Sequence, residues 1–107
     1  MTLKDLKTIS LFQTASINEA IKDDKPTLDY VLRCLSLFYR GNYGSIDIED
    51  TTANNLDLKE GYGHILARYD KAYKLTGDIY IEAHINKDAD IHDIDYNNIM
   101  IMYCDER

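Results

Sequence analysis

The arrangement of apolar and polar residues predicts that the first half of the chain is mainly helical. Apolar side chains at positions 28, 31, 32, 35, 38 and 39 recur at helical spacing and form one stripe. Pro26 suits the first turn of this helix, where its missing N–H would have no partner, and Gly41 follows where the helix must stop. Ahead of it, Ser16 with Glu19 three residues later is a capping-box pattern. This pattern predicts a shorter helix that ends by residues 23–26.

A glycine turn at residues 41–44 separates these helices from the second half of the chain. Asp47 can cap a further helix that runs to about residue 60. The apolar stripe of that helix is narrow and consists of Ile48, Thr52 and Leu56. Gly61 and Gly63 then allow the chain to stop and reverse.

Alternating segments predict strands in the rest of the chain. Residues 79–85 alternate without a break, with isoleucines and alanine on one face and Tyr80, Glu82 and His84 on the other. Residues 8–14, 64–73 and 98–103 are the other predicted strands, and residues 74–77 form a hairpin connection. Since residues 98–103 are apolar on both faces, we expect them centrally in the sheet or under a helix. The predicted fold class is α+β, a small antiparallel sheet of about four strands packed against two or three helices.

The length of 107 residues predicts one acidic domain spanning residues 1–107. The chain contains no apolar run of about 18 residues and no signal-peptide pattern, so we expect a cytoplasmic protein without membrane partners. Cys34 and Cys104 have neither metal-ligand spacing nor the density of a disulfide framework. We therefore expect two free thiols.

The charge is concentrated in the second half of the chain. Residues 1–44 carry six Lys and Arg against five Asp and Glu, whereas residues 45–107 carry six against fourteen. Such a field repels nucleic acid and attracts basic protein surfaces. The simpler alternative is that the acidity only keeps a small protein in solution.

The chain also resembles a known group of proteins in the order of several short motifs. These motifs are the turn Gly41–Gly44, the pair Glu49–Asp50, Asn54 or Asn55, Leu58 before Gly61, Leu66 and Tyr69, residues 79–81, and a last apolar strand before an acidic end. In this order they are similar to a family of small uncharacterised proteins of plasmids, phages and bacterial genomes, over roughly residues 14–107. The longer, Asp-rich segment 86–97 and the ending Asp105-Glu106-Arg107 depart from that family.

The resemblance implies an association with mobile elements and carries no established activity. By analogy with small acidic phage proteins that inhibit host defence nucleases, it suggests an inhibitor that mimics DNA, in the manner of an anti-CRISPR protein.

The sequence predicts no catalytic residue and no cofactor. His64, His84 and His92 accompany many carboxylates, and a histidine beside a carboxylate in a cleft could act as an acid or base. Surface histidines are the simpler interpretation, because nothing in the sequence fixes such a cleft. The glycines of residues 41–44 lack the Lys-Ser/Thr of a phosphate-binding loop. A small metal- or histidine-dependent enzyme or accessory factor stays as the alternative function.

The segment from Asp88 to Asp95 is a candidate cation site because it holds four aspartates and His92 within eight residues. Its alternation is similar to the first ligands of a calcium loop. The glycine at the sixth position and the glutamate at the twelfth are both missing. A solvated acidic loop is therefore the expected structure, and no metal ligand is predicted.

The leading hypothesis is a protein that binds a basic surface of a host protein through its acidic second half, and that does not bind nucleic acid directly. The predicted contact residues are Tyr43, Asp47, Glu49, Asp50, Asp57, Glu60, Asp88, Asp90, Asp93 and Asp95. Tyr43 is included as an aromatic anchor beside the glycine turn. A homodimer is also open, because a four-stranded sheet leaves edges that a second copy could pair.

Overall fold

The computed structural model describes all of residues 1–107 and contains four α-helices and one four-stranded sheet. In chain order the elements are α1 (Leu3–Leu6), β1 (Ser10–Gln13), α2 (Ala15–Ile21), α3 (Lys25–Tyr39), α4 (Ile48–Glu60), β2 (Tyr62–Tyr69), β3 (Ile79–Asn86), β4 (Asn98–Tyr103) and a 3-10 turn (Cys104–Glu106). The predicted α+β class is confirmed. None of the helices is long and apolar enough to cross a membrane.

The sheet has the strand order β1-β4-β3-β2. Strands β2, β3 and β4 are antiparallel neighbours, whereas β1 runs parallel to β4. The expectation of a purely antiparallel sheet is therefore wrong at one edge, because the chain reaches β1 and β4 by long connections that permit a parallel pairing. The prediction that residues 98–103 lie centrally is confirmed, since β4 lies between β1 and β3.

One face of the sheet packs against helices α1 to α3 to form the core. The alternation predicted for β3 is confirmed, because Ile79, Ile81, Ala83 and Ile85 are all buried. From α3, Val31, Cys34 and Phe38 enter the same cluster.

The buried stripe of α3 is rotated from the predicted one. Leu28 and Leu32 are exposed, and Thr27 is fully buried in their place. The Thr27 hydroxyl bonds the capping carboxylate of Asp24 and accepts the backbone N–H of Lys74 at 3.1 Å. These hydrogen bonds compensate the burial of a polar side chain, so the helix can turn Thr27 rather than a leucine toward the core.

Two details of the N-terminal elements also differ from prediction. Helix α2 is capped by Thr14, whose hydroxyl accepts the N–H of Ile17 at 3.3 Å, and not by Ser16. Ile9 is buried as expected, but Leu11 is exposed because β1 is an edge strand of the sheet.

Helix α4 lies along the outer edge of β2 and holds it mainly through polar contacts. Its Asp47 cap and its end at Gly61 are confirmed. Its predicted apolar stripe is wrong, because Ile48 is 81% exposed and Leu56 52% exposed. The side chain of Asn54 instead donates to the Leu66 carbonyl at 2.7 Å and accepts the Leu66 N–H at 2.9 Å. Asn54 thus takes the place of a neighbouring strand.

The glycine turn extends this protection of the β2 edge. Arg68 donates its N–H to the Tyr43 carbonyl at 3.0 Å, and its own carbonyl accepts the N–H of Ser45 at 2.8 Å. Gly44 is required here because its φ is +73° and a Cβ would lie 1.9 Å from the Arg68 carbonyl oxygen. The turn is therefore a structural element of the sheet edge.

Candidate functional site on the outer face of the sheet

The outer face of the sheet is the side of β2, β3 and β4 that faces away from the core. Side chains alternate between the two sides of a strand, so the outer face carries His64, Leu66, Arg68, Tyr80, Glu82, His84, Met100 and Met102. None of these side chains belongs to the hydrophobic core cluster. On this face Glu82 and Met102 are buried, whereas His64 is exposed and His84 is half-buried.

Strand register brings two histidines and a glutamate together on the outer face. His64 on β2 lies directly opposite His84 on β3, and their ring centroids are 4.4 Å apart. Glu82 precedes His84 by two residues and therefore points to the same side. The His64 Nδ1 atom is 3.4 Å from Glu82 Oε2, and the His84 Nε2 atom is 3.6 Å from Glu82 Oε1. We call these three residues the His-Glu-His cluster.

Glu82 is the buried centre of this cluster, with only 4% of its surface exposed. Arg107 donates from Nε at 3.2 Å and from Nη2 at 2.8 Å to the same Oε2 oxygen. Burial by itself would raise the pKa of the Glu82 carboxyl, but the hydrogen bond and charge of Arg107, with the two histidines, lower it below its ordinary value. Glu82 is therefore an anion near neutral pH.

The two histidine side chains connect this buried anion to the solvent. The His64 side chain is 55% exposed and the His84 side chain 44% exposed. No other set of His, Cys, Asp and Glu side chains in the chain brings three ligand atoms this close together. A donor set of two imidazoles and one carboxylate can hold a transition-metal ion or exchange protons.

The acidic residues predicted on α4 divide into two groups. Asp47, Glu49, Asp50 and Glu60 are exposed, although the Asp47 carboxylate also caps the helix by accepting the Asp50 N–H at 2.8 Å. Asp57 is half-buried, and its carboxylate accepts the His64 N–H at 3.0 Å. Asp57 therefore has a structural role at the β2 edge, which the sequence did not predict.

The aspartates of the 88–95 segment also serve different purposes. The carboxylates of Asp90 and Asp93 each accept the N–H two residues later, at 2.8 and 3.0 Å, and so form local turns. The side chains of Asp88 and Asp95 are exposed and make no hydrogen bond within the chain. The buried Asn97 fastens the segment through its amide, which bonds the Asn86 and Asp90 carbonyls at 3.1 Å. The segment therefore forms a loop built from turns.

Tyr43 is not a surface anchor, and this expectation is wrong. Its ring is buried against Phe38, with centroids 6.0 Å apart. Its hydroxyl has no hydrogen-bond partner. The tyrosine that does face solvent near the second glycine pair is Tyr62, which is 64% exposed.

The acidic helix and the acidic loop meet beside Tyr62. The Lys87 N–H donates to the Gly61 carbonyl at 2.8 Å, which joins the start of the loop to the end of α4. None of the predicted acidic contact residues takes part in an ion pair; the ion pairs of the chain involve Asp29, Asp78 and Glu82. We call the exposed members of this set, Asp47, Glu49, Asp50, Glu60, Asp88, Asp90 and Asp95, the acidic rim.

Both cysteines are free thiols, as predicted. Burial raises the pKa of Cys34, which belongs to the core cluster. Burial also raises the pKa of Cys104. Neither thiol therefore has the lowered pKa that marks a reactive cysteine.

Sequence reasoning placed Glu82 and His84 on one face of a strand but did not connect them with His64. The missing information is the register between β2 and β3. This register depends on the loop that joins the two strands, and that loop is too long for its length to identify one turn type. Arg107 gave no local signal, because its contact with Glu82 joins residues that are distant in the chain.

Comparisons of the chain with protein-family models, with curated proteins and with solved structures find no match.

Proposed function

We propose that the protein acts by binding a basic surface of another protein through the acidic rim. The observation that carries this proposal is that the rim carboxylates are exposed and form no ion pair within the chain. Exposed charges without internal partners raise the local potential, which speeds the encounter with a surface of opposite sign.

The contact between α4 and the 88–95 loop suggests where such a partner would bind most closely. Glu60 and Asp88 lie on the two sides of this contact, and Tyr62 follows Gly61 directly. A large exposed aromatic ring surrounded by charged groups is typical of an interface anchor with a polar rim. Tyr62 therefore takes the role that the sequence gave to Tyr43.

The chemistry of the rim favours a nucleic-acid-binding protein as the partner. The groove of such a protein is lined to receive phosphates, and spaced carboxylates can occupy the same positive sites. The resemblance to plasmid and phage proteins supports a bacterial host factor, such as a defence nuclease, and an inhibitory role. Duplex DNA should then compete with this protein for the partner.

The test is affinity capture from a bacterial lysate with a pair of charge-matched variants. The double variant Glu60→Gln, Asp88→Asn removes two rim charges whose side chains make no hydrogen bond within the chain. The control Glu19→Gln, Asp23→Asn removes two exposed charges from the first half. Both variants change the net charge equally, so a nonspecific charge effect would appear in both.

We expect the rim variant to bind the captured partner about three- to tenfold more weakly, at about 0.3–0.7 kcal/mol for each charge. The control should bind normally, binding should weaken as salt is raised, and duplex DNA should release the partner. Equal weakening in both variants, or capture that neither salt nor DNA affects, would contradict the proposal.

A further inference from the structure

The geometry of the outer face points to a second property that is independent of the acidic rim. We propose that His64, Glu82 and His84 bind one divalent transition-metal ion of the zinc class. The site is formed by two neighbouring strands, so its donor atoms are held by the backbone pairing of the sheet.

The spacing of the donor atoms agrees with a tetrahedral site. A metal with bonds of about 2.0–2.1 Å holds its ligand atoms about 3.4 Å from one another. The His64 Nδ1 atom lies 3.4 Å from Oε2 of Glu82, and the His84 Nε2 atom lies 3.6 Å from Oε1, the other oxygen of the same carboxylate. One ligand atom from each of the three residues can be chosen so that all three lie within 4.8 Å of one another. Small side-chain rotations are therefore enough to bring all three donors to one ion.

The identity of the donors selects the class of metal. Imidazole nitrogens suit Zn²⁺, Co²⁺, Ni²⁺ and Cu²⁺, whereas Mg²⁺ and Ca²⁺ prefer all-oxygen sites. Three protein ligands leave one tetrahedral position free, and the exposed sides of both histidines place that position toward solvent. An open position is the property that separates metal sites able to bind a further ligand from closed structural sites.

Arg107 supports this arrangement as a positioning residue. Both of its hydrogen bonds reach Oε2 of Glu82, so Oε1 stays free beside the Nε2 atom of His84. Outer hydrogen bonds of this kind fix the orientation of a ligating carboxylate. An Arg107–Glu82 ion pair alone would account for a buried glutamate, but it would not require two imidazoles on the same carboxylate.

Titration of the intact protein with Zn²⁺ by calorimetry and with Co²⁺ by visible absorption tests the site directly. We expect one ion bound for each protein molecule and a Kd of about 1 µM for Zn²⁺. The Co²⁺ complex should show the intense visible absorption bands of a four-coordinate ion. His64→Ala and His84→Ala should each weaken binding by at least about 100-fold. His92→Ala is the matched control, because His92 lies in the loop outside the cluster and should leave the affinity unchanged.

Glu82→Gln provides a further variant that keeps an oxygen for Arg107 while removing the anionic ligand. Thermal unfolding of each variant without metal shows that the fold is intact. The proposal is overturned if Zn²⁺ and Co²⁺ do not bind, or if His92→Ala weakens binding as much as the cluster variants do. Binding of Zn²⁺ that survives both His64→Ala and His84→Ala would also overturn it.

Discussion

Asn54 offers the sharpest test of how the acidic helix is attached to the sheet. Its buried side chain makes both hydrogen bonds that a neighbouring strand would make to Leu66. The substitution Asn54→Ala removes this partner and leaves the N–H and C=O groups of Leu66 unpaired at the edge of β2.

The expected cost follows from these two hydrogen bonds. Each contributes about 1 kcal/mol net, and an unpaired backbone group in a half-buried position costs about 1–2 kcal/mol. The loss is therefore about 2–4 kcal/mol, against which alanine gains about 0.5 kcal/mol in helix propensity. The net decrease in the free energy of unfolding should be about 1.5–3.5 kcal/mol, or about 6–14 °C in Tm for a domain of this size.

Asn55→Ala is the matched control, because Asn55 is the next residue of α4, is exposed, and makes no side-chain hydrogen bond. It has the same gain in helix propensity without the loss at the sheet edge. Urea unfolding measures both free energies, and hydrogen exchange should show reduced protection of the Leu66 amide only in Asn54→Ala. If the two variants unfold at the same urea concentration, the Asn54–Leu66 hydrogen bonds do not stabilise the attachment of α4 to the sheet.

Three further predictions concern the glycine turn, the core and the hairpin. Gly44→Ala should lower the free energy of unfolding by about 3 kcal/mol or more, because residue 44 has a left-handed backbone conformation and the new Cβ would clash with the Arg68 carbonyl. Gly77→Ala is the control, since the nearest atom would lie 3.9 Å from its Cβ, and it should change the stability in urea little. Tyr43→Phe should raise the free energy of unfolding by about 1 kcal/mol, since it removes a buried hydroxyl without a partner, and a less stable variant would indicate that the hydroxyl is satisfied. The hydrogen bond from Arg68 lowers the pKa of Asp78 from its ordinary value of 3.8, so its stabilising contribution is complete above pH 3.8 and is lost as the pH falls through the lower folded-state value. The free energy of unfolding of Asp78→Asn should accordingly depend less on pH in the acid range than that of the parent protein. Identical pH profiles would exclude the Arg68–Asp78 pair as a cause of the loss of stability in acid.

Local sequence signals predicted the secondary structure well at positions where a single residue determines the backbone conformation. Asp47 caps α4 and Gly61 ends it, as expected, because these roles depend only on the nearest turn of the chain. The strict alternation of residues 79–85 likewise determined which face of β3 is buried. In these cases the local preference and the tertiary packing agree.

The inward face of α4 could not be predicted from hydrophobicity, and the inward face of α3 could be predicted only in part, since Val31 and Phe38 of the predicted stripe are buried but Leu28 and Leu32 are exposed. Thr27 and Asn54 are buried polar residues whose partners, Lys74 and Leu66, are distant in the chain. A helix that packs through hydrogen bonds to a sheet edge has no apolar stripe to reveal its orientation. The predicted stripe through Ile48 therefore faces solvent.

The candidate sites, too, could be predicted only as far as they do not depend on contacts between distant residues. The acidic rim was visible because charge is a property of the sequence itself, and only the exclusion of Tyr43 and the structural roles of the half-buried Asp57 and Asp93 needed the fold. The His-Glu-His cluster depends on which residue of β2 lies opposite His84, and a shift of one residue would have turned His64 to the other face.

The parallel pairing of β1 with β4 has a consequence for the order in which the domain can assemble. Residues 10–13 pair with residues 98–101, so the first strand cannot join the sheet until everything between them has been synthesised. The β2–β3 hairpin and α4 can form early from nearby residues, whereas the sheet becomes continuous only when β4 enters between β3 and β1. Entry of β4 is then the step that closes the longest loop, and it should set the folding rate.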